Sequence, residues 1–393
     1  MTQKDKPNPS VNSVLSVVKN MKIRIFQPIV PEYRVALFEG VGKRYGADVE
    51  IWASEGSGQD KSYALKAMHY DYGHPFKNFG PIRWQKGLSL RGLKKGDVIV
   101  ICGDVHQLSS LWIAALAKLR GIGVVWWGHH VSVGSKELGI RIRLFLTRLL
   151  SDVVLCYTKQ GIEWFKARRW KSPVFATGNT IDMEAVKAAI AAWTPERRAA
   201  FQREQGLENQ EAIVFCSVLR WKTRLDQLLK AMATDELKKR GTKLIVIGDG
   251  EGRATWEQQA KDLGISDRII WVGALREQMK IAPWFLSAKA YVYPGPIGLS
   301  IIHAFSYGLP VVCHDTAAHH GPEFEAMTDG ETGYVFKEND EADLARQILR
   351  TLSDEIRRAE ISNSVQALAY EKFGIESMVN NYCEALECAG SRV

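Results

Sequence analysis

Short runs of wholly apolar residues recur along this chain, each closed by glycine or proline and followed by a segment with helical spacing. The fullest example is Ala290 to Asp315, AYVYPGPIGLSIIHAFSYGLPVVCHD. It reads as a strand (Ala290 to Tyr293), a loop (Pro294 to Gly298), a helix (Leu299 to Tyr307) and a second strand (Leu309 to Cys313). Neither strand alternates apolar with polar residues. A continuous apolar run of this length belongs to a strand covered on both faces, as in a parallel sheet between helix layers. The loop glycines let the backbone turn tightly and let a bulky group approach the helix. Free N–H groups at a helix start suit a phosphate.

The same unit repeats in order. MKIRIFQPIV, VALFEGVGKRYG and ADVEIWAS form a strand, helix and strand without the G-x-G-x-x-G dinucleotide fingerprint. Residues 55–96 read as loop-rich and basic. DVIVICG, LSSLWIAALAKLRG, GVVWWGHH and SDVVLCYT resume the alternation, with the helix GIEWFKARRW after them. Residues 179–210 are polar, helical and poor in strand formers, so the domain junction falls there. EAIVFCSVL opens a second series through RLDQLLKAM, KLIVIGDGEG, RIIWVGAL and the Ala290 stretch. Alternating strands and helices imply parallel sheets with right-handed crossovers. The predicted fold is therefore α/β, with two Rossmann-like, doubly wound domains facing each other across a cleft. The predicted boundaries are 1–20 as a flexible leader, 21–178 as the first domain and 179–210 as a linker. The second domain then spans 211–365, and a C-terminal helix, 366–393, packs back towards the first.

At 393 residues the chain has room for two such domains. No apolar run approaches the roughly 18 residues of a membrane-spanning helix. The apolar patch Val14 to Val18 is too short for a secretory signal. The six cysteines are scattered without metal-ligand spacing, as expected of small core residues in a reducing cell interior. The net charge of +8 conceals an asymmetry: residues 1–178 hold 27 Lys and Arg against 13 Asp and Glu, and the remainder 25 against 31. The first half thus faces something anionic, such as an acidic bilayer or a phosphate-bearing acceptor. Nucleic acid is not expected, because no nucleic-acid module accompanies the charge.

Four segments in this order resemble the retaining glycosyltransferases of family 4, whose two-Rossmann-domain fold is the GT-B type. They are SVLRWKTRLDQLLKA, LIVIGDGEG, IIWVGAL, and PGPIGLSIIHAFSYGLPVV followed by DGETGYVF. The resemblance covers about residues 212–336. It implies transfer of a sugar from a nucleoside diphosphate-sugar to an acceptor hydroxyl, with retained anomeric configuration and without a metal or other cofactor. The acceptor is expected to be a saccharide or lipid-linked, in the assembly of cell-surface polysaccharide or glycolipid. The place of action is then the cytoplasm, or the inner face of a membrane as a peripheral protein.

The departures from the family are specific. Its E-x7-E pair falls here on Gly295 and His303. His303 either hydrogen-bonds a ribose hydroxyl through a ring nitrogen or packs as a satisfied core histidine. Gly295 has no side chain, so its contact must come from loop N–H groups. The family's Arg and Lys fall on Val218 and Thr223, yet Arg220 and Lys222 lie within two residues of them, and Arg224 is in the same loop. Arg220, Lys222 and His129, which ends a first-half strand, are the expected catalytic residues. Ile297, Gly298, Leu299, Ser300 and Arg224 are the expected donor contacts, with Gly248 either a donor contact or a turn residue. Arg141, Arg143 and Arg148 are the expected acceptor or membrane surface. His314, His319 and His320 beside Glu323 and Glu325 have ligand-like composition, but no metal site is expected. The competing expectation is a degenerate transferase fold that binds nucleotide-sugar, or serves as a scaffold, without catalysis.

Overall fold

The computed structural model describes residues 21–57, 60–128 and 137–393. The predicted leader and His129 lie outside the described residues. The chain divides into two compact units, Met1–Gly178 with Ile375–Val393, and Asn179–Gly374.

The first unit is built on a seven-stranded parallel sheet. Its order is Val174–Ala176, Val153–Cys156, Gly123–Trp127, Val98–Cys102, Ile23–Phe26, Val49–Trp52 and His69–Asp71. The first strand of the chain thus lies inside the sheet, and later strands are added outward on both sides, the doubly wound arrangement. The continuous apolar runs follow from this. Val98 and Val100 enter one core with Leu37, Phe38 and Leu386, whereas Ile99 and Ile101 enter another with Ile113 and Ala117. Successive side chains leave a strand on opposite faces, so a strand covered twice must be apolar at every position.

Residues 55–96 are more ordered than their composition indicates. They supply the edge strand His69–Asp71 and an antiparallel hairpin, Phe76–Phe79 with Ile82–Gln85. These strands are short and largely exposed, so they lack an apolar pattern. The last helix, Ile375–Gly390, packs on the helix Glu32–Tyr45 through Met378, Tyr382 and Leu386.

The second unit has six parallel strands in the order Ile269–Gly273, Lys243–Ile247, Ala212–Cys216, Ala290–Tyr293, Val311–His314 and Gly333–Phe336. Two predicted boundaries are corrected here. Residues 179–210 are not a linker. They form the helices Met183–Ala192 and Pro195–Glu204, and Met183, Val186, Ala189 and Leu207 are buried in the second core. Their small and apolar side chains sit on one face, a pattern that the many charges obscured. Nor does the second unit end at 365. The helix Glu355–Lys372 runs through that point and buries Ile361, Val365 and Ala369, so the division falls after Gly374.

Candidate active site

In an open parallel sheet, ligands bind beyond the carboxyl ends of the strands, where the strand order reverses. In the second sheet that point lies between Ala212–Cys216 and Ala290–Tyr293. Their ends are tied together: the Tyr291 hydroxyl donates to the Cys216 carbonyl at 2.8 Å, and the Tyr293 and Ser217 hydroxyls are 3.3 Å apart. The loops that leave these strands are 217–224 and 294–299, the two singled out in the sequence.

Glycine seats the first loop. Gly248 has φ +145° and its N–H donates to the Gly273 carbonyl at 2.8 Å. A Cβ at Gly248 would lie 1.8 Å from the Ser217 carbonyl oxygen. Backbone contact therefore requires glycine at position 248. Gly295 is the counterpart on the other side. It is buried, and a Cβ there would stand 2.3 Å from the Lys222 carbonyl oxygen and 2.8 Å from Thr223 Cα. Position 295 is thus closed to a side chain by the loop bearing Arg220 and Lys222.

The loop itself makes one 3-10 turn, Trp221–Thr223, closed by the Thr223 hydroxyl donating to the Arg220 carbonyl at 2.7 Å. Arg220 and Lys222 are exposed and make no ion pair with a described residue. Arg224 differs. It adopts left-handed backbone at φ 54°, and its guanidinium donates to Asn339 at 2.7 Å and approaches Asp226 at 3.4 Å. It is a loop anchor, with two of its five donors already engaged.

On the facing loop, the buried Ile297 N–H donates to His320 Nδ1 at 3.0 Å, and its carbonyl accepts from Gly321 N–H at 2.7 Å. His320 Nε2 lies 2.9 Å from the His314 carbonyl oxygen, and the two rings stack at 3.7 Å. His320 is thereby fixed as a neutral tautomer that braces the loop, and burial lowers its pKa. The Gly298 and Leu299 N–H groups meet no acceptor among the described residues. The helix they open is Ser300–Ser306, shorter at both ends than predicted.

His303 has a hydrogen-bond partner within its own unit. Its Nε2 lies 3.0 Å from Gln278 Oε1, which also accepts from the Tyr307 hydroxyl, and its ring packs on Phe285. Burial pushes its pKa down to about 4, so it is neutral and its Nε2 is already engaged.

Glu323, which no motif assigned to the site, belongs in its description. Glu323 is buried, accepts from Asn179 Nδ2 at 2.6 Å, and brings its other oxygen within 3.5 Å of a Cβ position on Gly298. Burial raises its carboxyl pKa, so a protonatable oxygen stands beside the loop. Its signal was the Gly321-Pro322-Glu323 turn, masked by the neighbouring histidines. In the first unit, Arg34 donates to Gln27 at 2.9 Å and to the Tyr157 hydroxyl at 2.6 Å, over the Trp127 ring. These are neutral partners at the carboxyl ends of the first sheet. Arg34 stands eight residues after the strand Ile23–Phe26 and carries no motif, so nothing local in the sequence marks its place.

The three arginines of the helix Glu137–Leu150 separate. Arg141 and Arg148 are exposed, but Arg143 turns inward to donate to the Gly103 carbonyl at 2.5 Å, and burial lowers its pKa. The surface expected of all three therefore loses one of them.

Residues 197–367 match the sequence model of the family described as glycosyl transferases group 1. The chain is similar to HepE of Anabaena, solved with UDP, with a TM-score of 0.66 over 93% of this chain and 99% of that one at 16% identity. The chain has the GT-B fold. A glycosyltransferase from Rickettsia africae shares it with a TM-score of 0.68 at 13% identity, covering 93% of this chain and 98% of that one. Among curated relatives, the N-acetyl-alpha-D-glucosaminyl L-malate synthase of Bacillus anthracis is 26% identical over 185 residues, 46% of each chain. A GDP-mannose-dependent phosphatidylinositol monomannoside mannosyltransferase of Mycolicibacterium smegmatis is 26% identical over 283 residues, 65% of this chain and 70% of the relative. The match spans about half the length of the first of these relatives. Within this GT-B chain the group 1 match falls on the second unit, which holds every loop of the candidate site.

Proposed function

We propose that the chain is a retaining, metal-independent glycosyltransferase that moves a sugar from a nucleoside diphosphate-sugar to an acceptor hydroxyl, in the assembly of cell-surface polysaccharide or glycolipid. The observation that carries this reading is the exposure of two unpaired cations, Arg220 and Lys222, in a loop fixed against the 294–299 turn at the point of strand-order reversal. The solved neighbour with UDP supports a nucleoside diphosphate as the ligand.

The difficulty in such a transfer is the charge that builds on the departing diphosphate. Arg220 and Lys222 supply positive potential there, joined by the free N–H groups of Gly298 and Leu299. Donors held in place before the reaction need no reorganisation, and losing one typically costs about 3 kcal/mol of transition-state stabilisation. The same charge does the work a divalent cation does elsewhere, so turnover should survive a chelator. As the glycosidic bond breaks, the acceptor hydroxyl attacks the face the phosphate leaves and its proton passes to a phosphate oxygen. A dedicated general base is then unnecessary. Glu323 beside Gly298 is a positioning group for the sugar.

The second reading, a nucleotide-sugar binder without turnover, is favoured by Gly295, which leaves no room for the family glutamate. One panel separates the two. UDP, GDP and their sugars should raise the melting temperature, and released nucleoside diphosphate should follow addition of acceptor. Arg220→Ala and Lys222→Ala should each lower that release by roughly a hundredfold while leaving folding intact. Protection by nucleotide without release in any acceptor extract would favour the binder, and no protection at all would defeat both.

A further inference from the structure

Among its described residues the first unit carries a face of exposed apolar side chains. The helices Leu108–Leu119 and Glu137–Leu150 pack side by side on one core cluster, the first through Ile113, Ala114 and Ala117, the second through Leu146 and Leu150. Away from that core each repeats the same spacing of apolar side chains. On the first, Leu108, Trp112 and Leu119 are exposed, Trp112 at 57% and Leu119 at 84%. On the second, Leu138, Ile142, Phe145 and Leu149 are exposed, Phe145 at 65%. Steps of three and four residues return to the same side of a helix, so each set is a stripe and not scattered exposure. The hairpin Phe76–Phe79 with Ile82–Gln85 packs against the first helix and adds exposed Phe79, Ile82 and Trp84. Single exposed apolar residues are ordinary, whereas adjoining stripes of this kind mark a contact surface.

Charge indicates what covers it. Residues 76–85, 108–120 and 137–150 hold seven Lys or Arg and a single acid, Glu137. Of the seven, Arg83 pairs with Asp104, Lys118 with Asp152, Lys77 lies over the Phe79 ring and Arg143 turns inward, but Arg120, Arg141 and Arg148 are exposed without an ion pair to a described residue. A second copy meeting this face with its own would set cation against cation. An anionic bilayer suits both features: the aromatic and leucine side chains enter the boundary below the headgroups, and the arginines meet the phosphates. We propose that the two-helix face around Trp112 and Phe145, rimmed by Arg120, Arg141 and Arg148, docks this chain on an anionic lipid surface. The chain lies on the bilayer and does not enter it; among the described residues no helix is long and apolar enough to cross a membrane. The proposal adds to the transferase reading without depending on it.

The test is co-sedimentation of the full chain with vesicles of phosphatidylcholine alone or mixed with phosphatidylglycerol, with no donor present. Binding is expected on the anionic vesicles only, and it should weaken as salt is raised. Trp112→Ala with Phe145→Ala should lower the partition constant about tenfold or more, and Arg141→Glu with Arg148→Glu should do the same. Both pairs are exposed, so the melting temperature should not move, which separates lost docking from lost folding. Absence of binding to anionic vesicles, or binding indifferent to both pairs, overturns the proposal. So does light scattering that finds a dimer dispersed by the Trp112 and Phe145 substitutions, which would assign the face to a protein partner. The assay involves no turnover, so an inactive protein that still sediments leaves the docking face standing, and the reverse outcome leaves the transferase standing.

Discussion

Gly295→Ala tests whether the site depends on the close approach of its two loops. The added methyl would stand 2.3 Å from the Lys222 carbonyl oxygen and 2.8 Å from Thr223 Cα. All the nearest atoms are backbone, so no side-chain rotation relieves the clash and one loop must move. Forcing a methyl into a packed site costs about 1–3 kcal/mol. For a unit of this size each kcal/mol lowers the melting temperature by roughly 2–4 °C. The expected loss is therefore about 2–12 °C, read by thermal denaturation of the full chain. The control is Gly298→Ala, three residues on, where the nearest neighbour of the new methyl is a Glu323 oxygen at an ordinary 3.5 Å. It should leave the melting temperature within about 1 °C of the parent. Gly295→Ala should also weaken protection by UDP or GDP, because the displaced segment carries Arg220 and Lys222. Equal stability and equal nucleotide protection in the two alanine variants would refute the reasoning, since the loops would then not be seated on each other.

Two further outcomes follow from buried titratable groups. Burial pushes the imidazoles of His303 and His314 down to about 4 from the ordinary 6.5. Each takes up its proton more readily unfolded, so its stabilising effect is complete above about pH 6.5 and is lost as pH falls from there towards 4. The urea midpoint should therefore drop across that window, and His303→Phe, which keeps a ring against Phe285, should flatten part of the slope. An unchanged slope would contradict the neutral, buried assignment. Glu323→Gln keeps the shape of a carboxyl that burial already biases towards its neutral form. Its melting temperature should match the parent, while nucleotide release should fall by about tenfold or more if the oxygen orients the sugar; an unchanged rate would confine Glu323 to bracing Asn179.

The architecture was legible because it rests on local chemistry. A strand buried on both faces has to be apolar throughout, and Val98 to Ile101 or Ile213 to Phe215 can be little else. The two loops of the candidate site were legible for a similar reason. Gly248 and Gly295 stand where backbone meets backbone, and such places admit no side chain. What failed was whatever depended on partners distant in sequence. Residues 179–210 read as a linker because their charges outnumber the four residues they fully bury in the second core, Met183, Val186, Ala189 and Leu207. The hairpin of residues 76–85 escaped notice because its strands are exposed and carry no pattern.

Side-chain assignments divide along the same line. That Arg220, Lys222 and Arg224 share one loop is a property of the sequence; that Arg224 alone is tied down depends on Asn339, 115 residues away. His303 and His320 have equal claims as letters, and the partner each one meets, Gln278 or Ile297, is more than twenty residues away. Glu323 gains its place from Asn179, and Arg34 from Tyr157, neither of which is near in the chain. The sequence by itself determined which segments must be strands and which turns must be glycine, because those demands act between neighbours. Only the tertiary structure decided which cations remain free to meet a ligand, because freedom is settled by what the rest of the chain leaves unpaired.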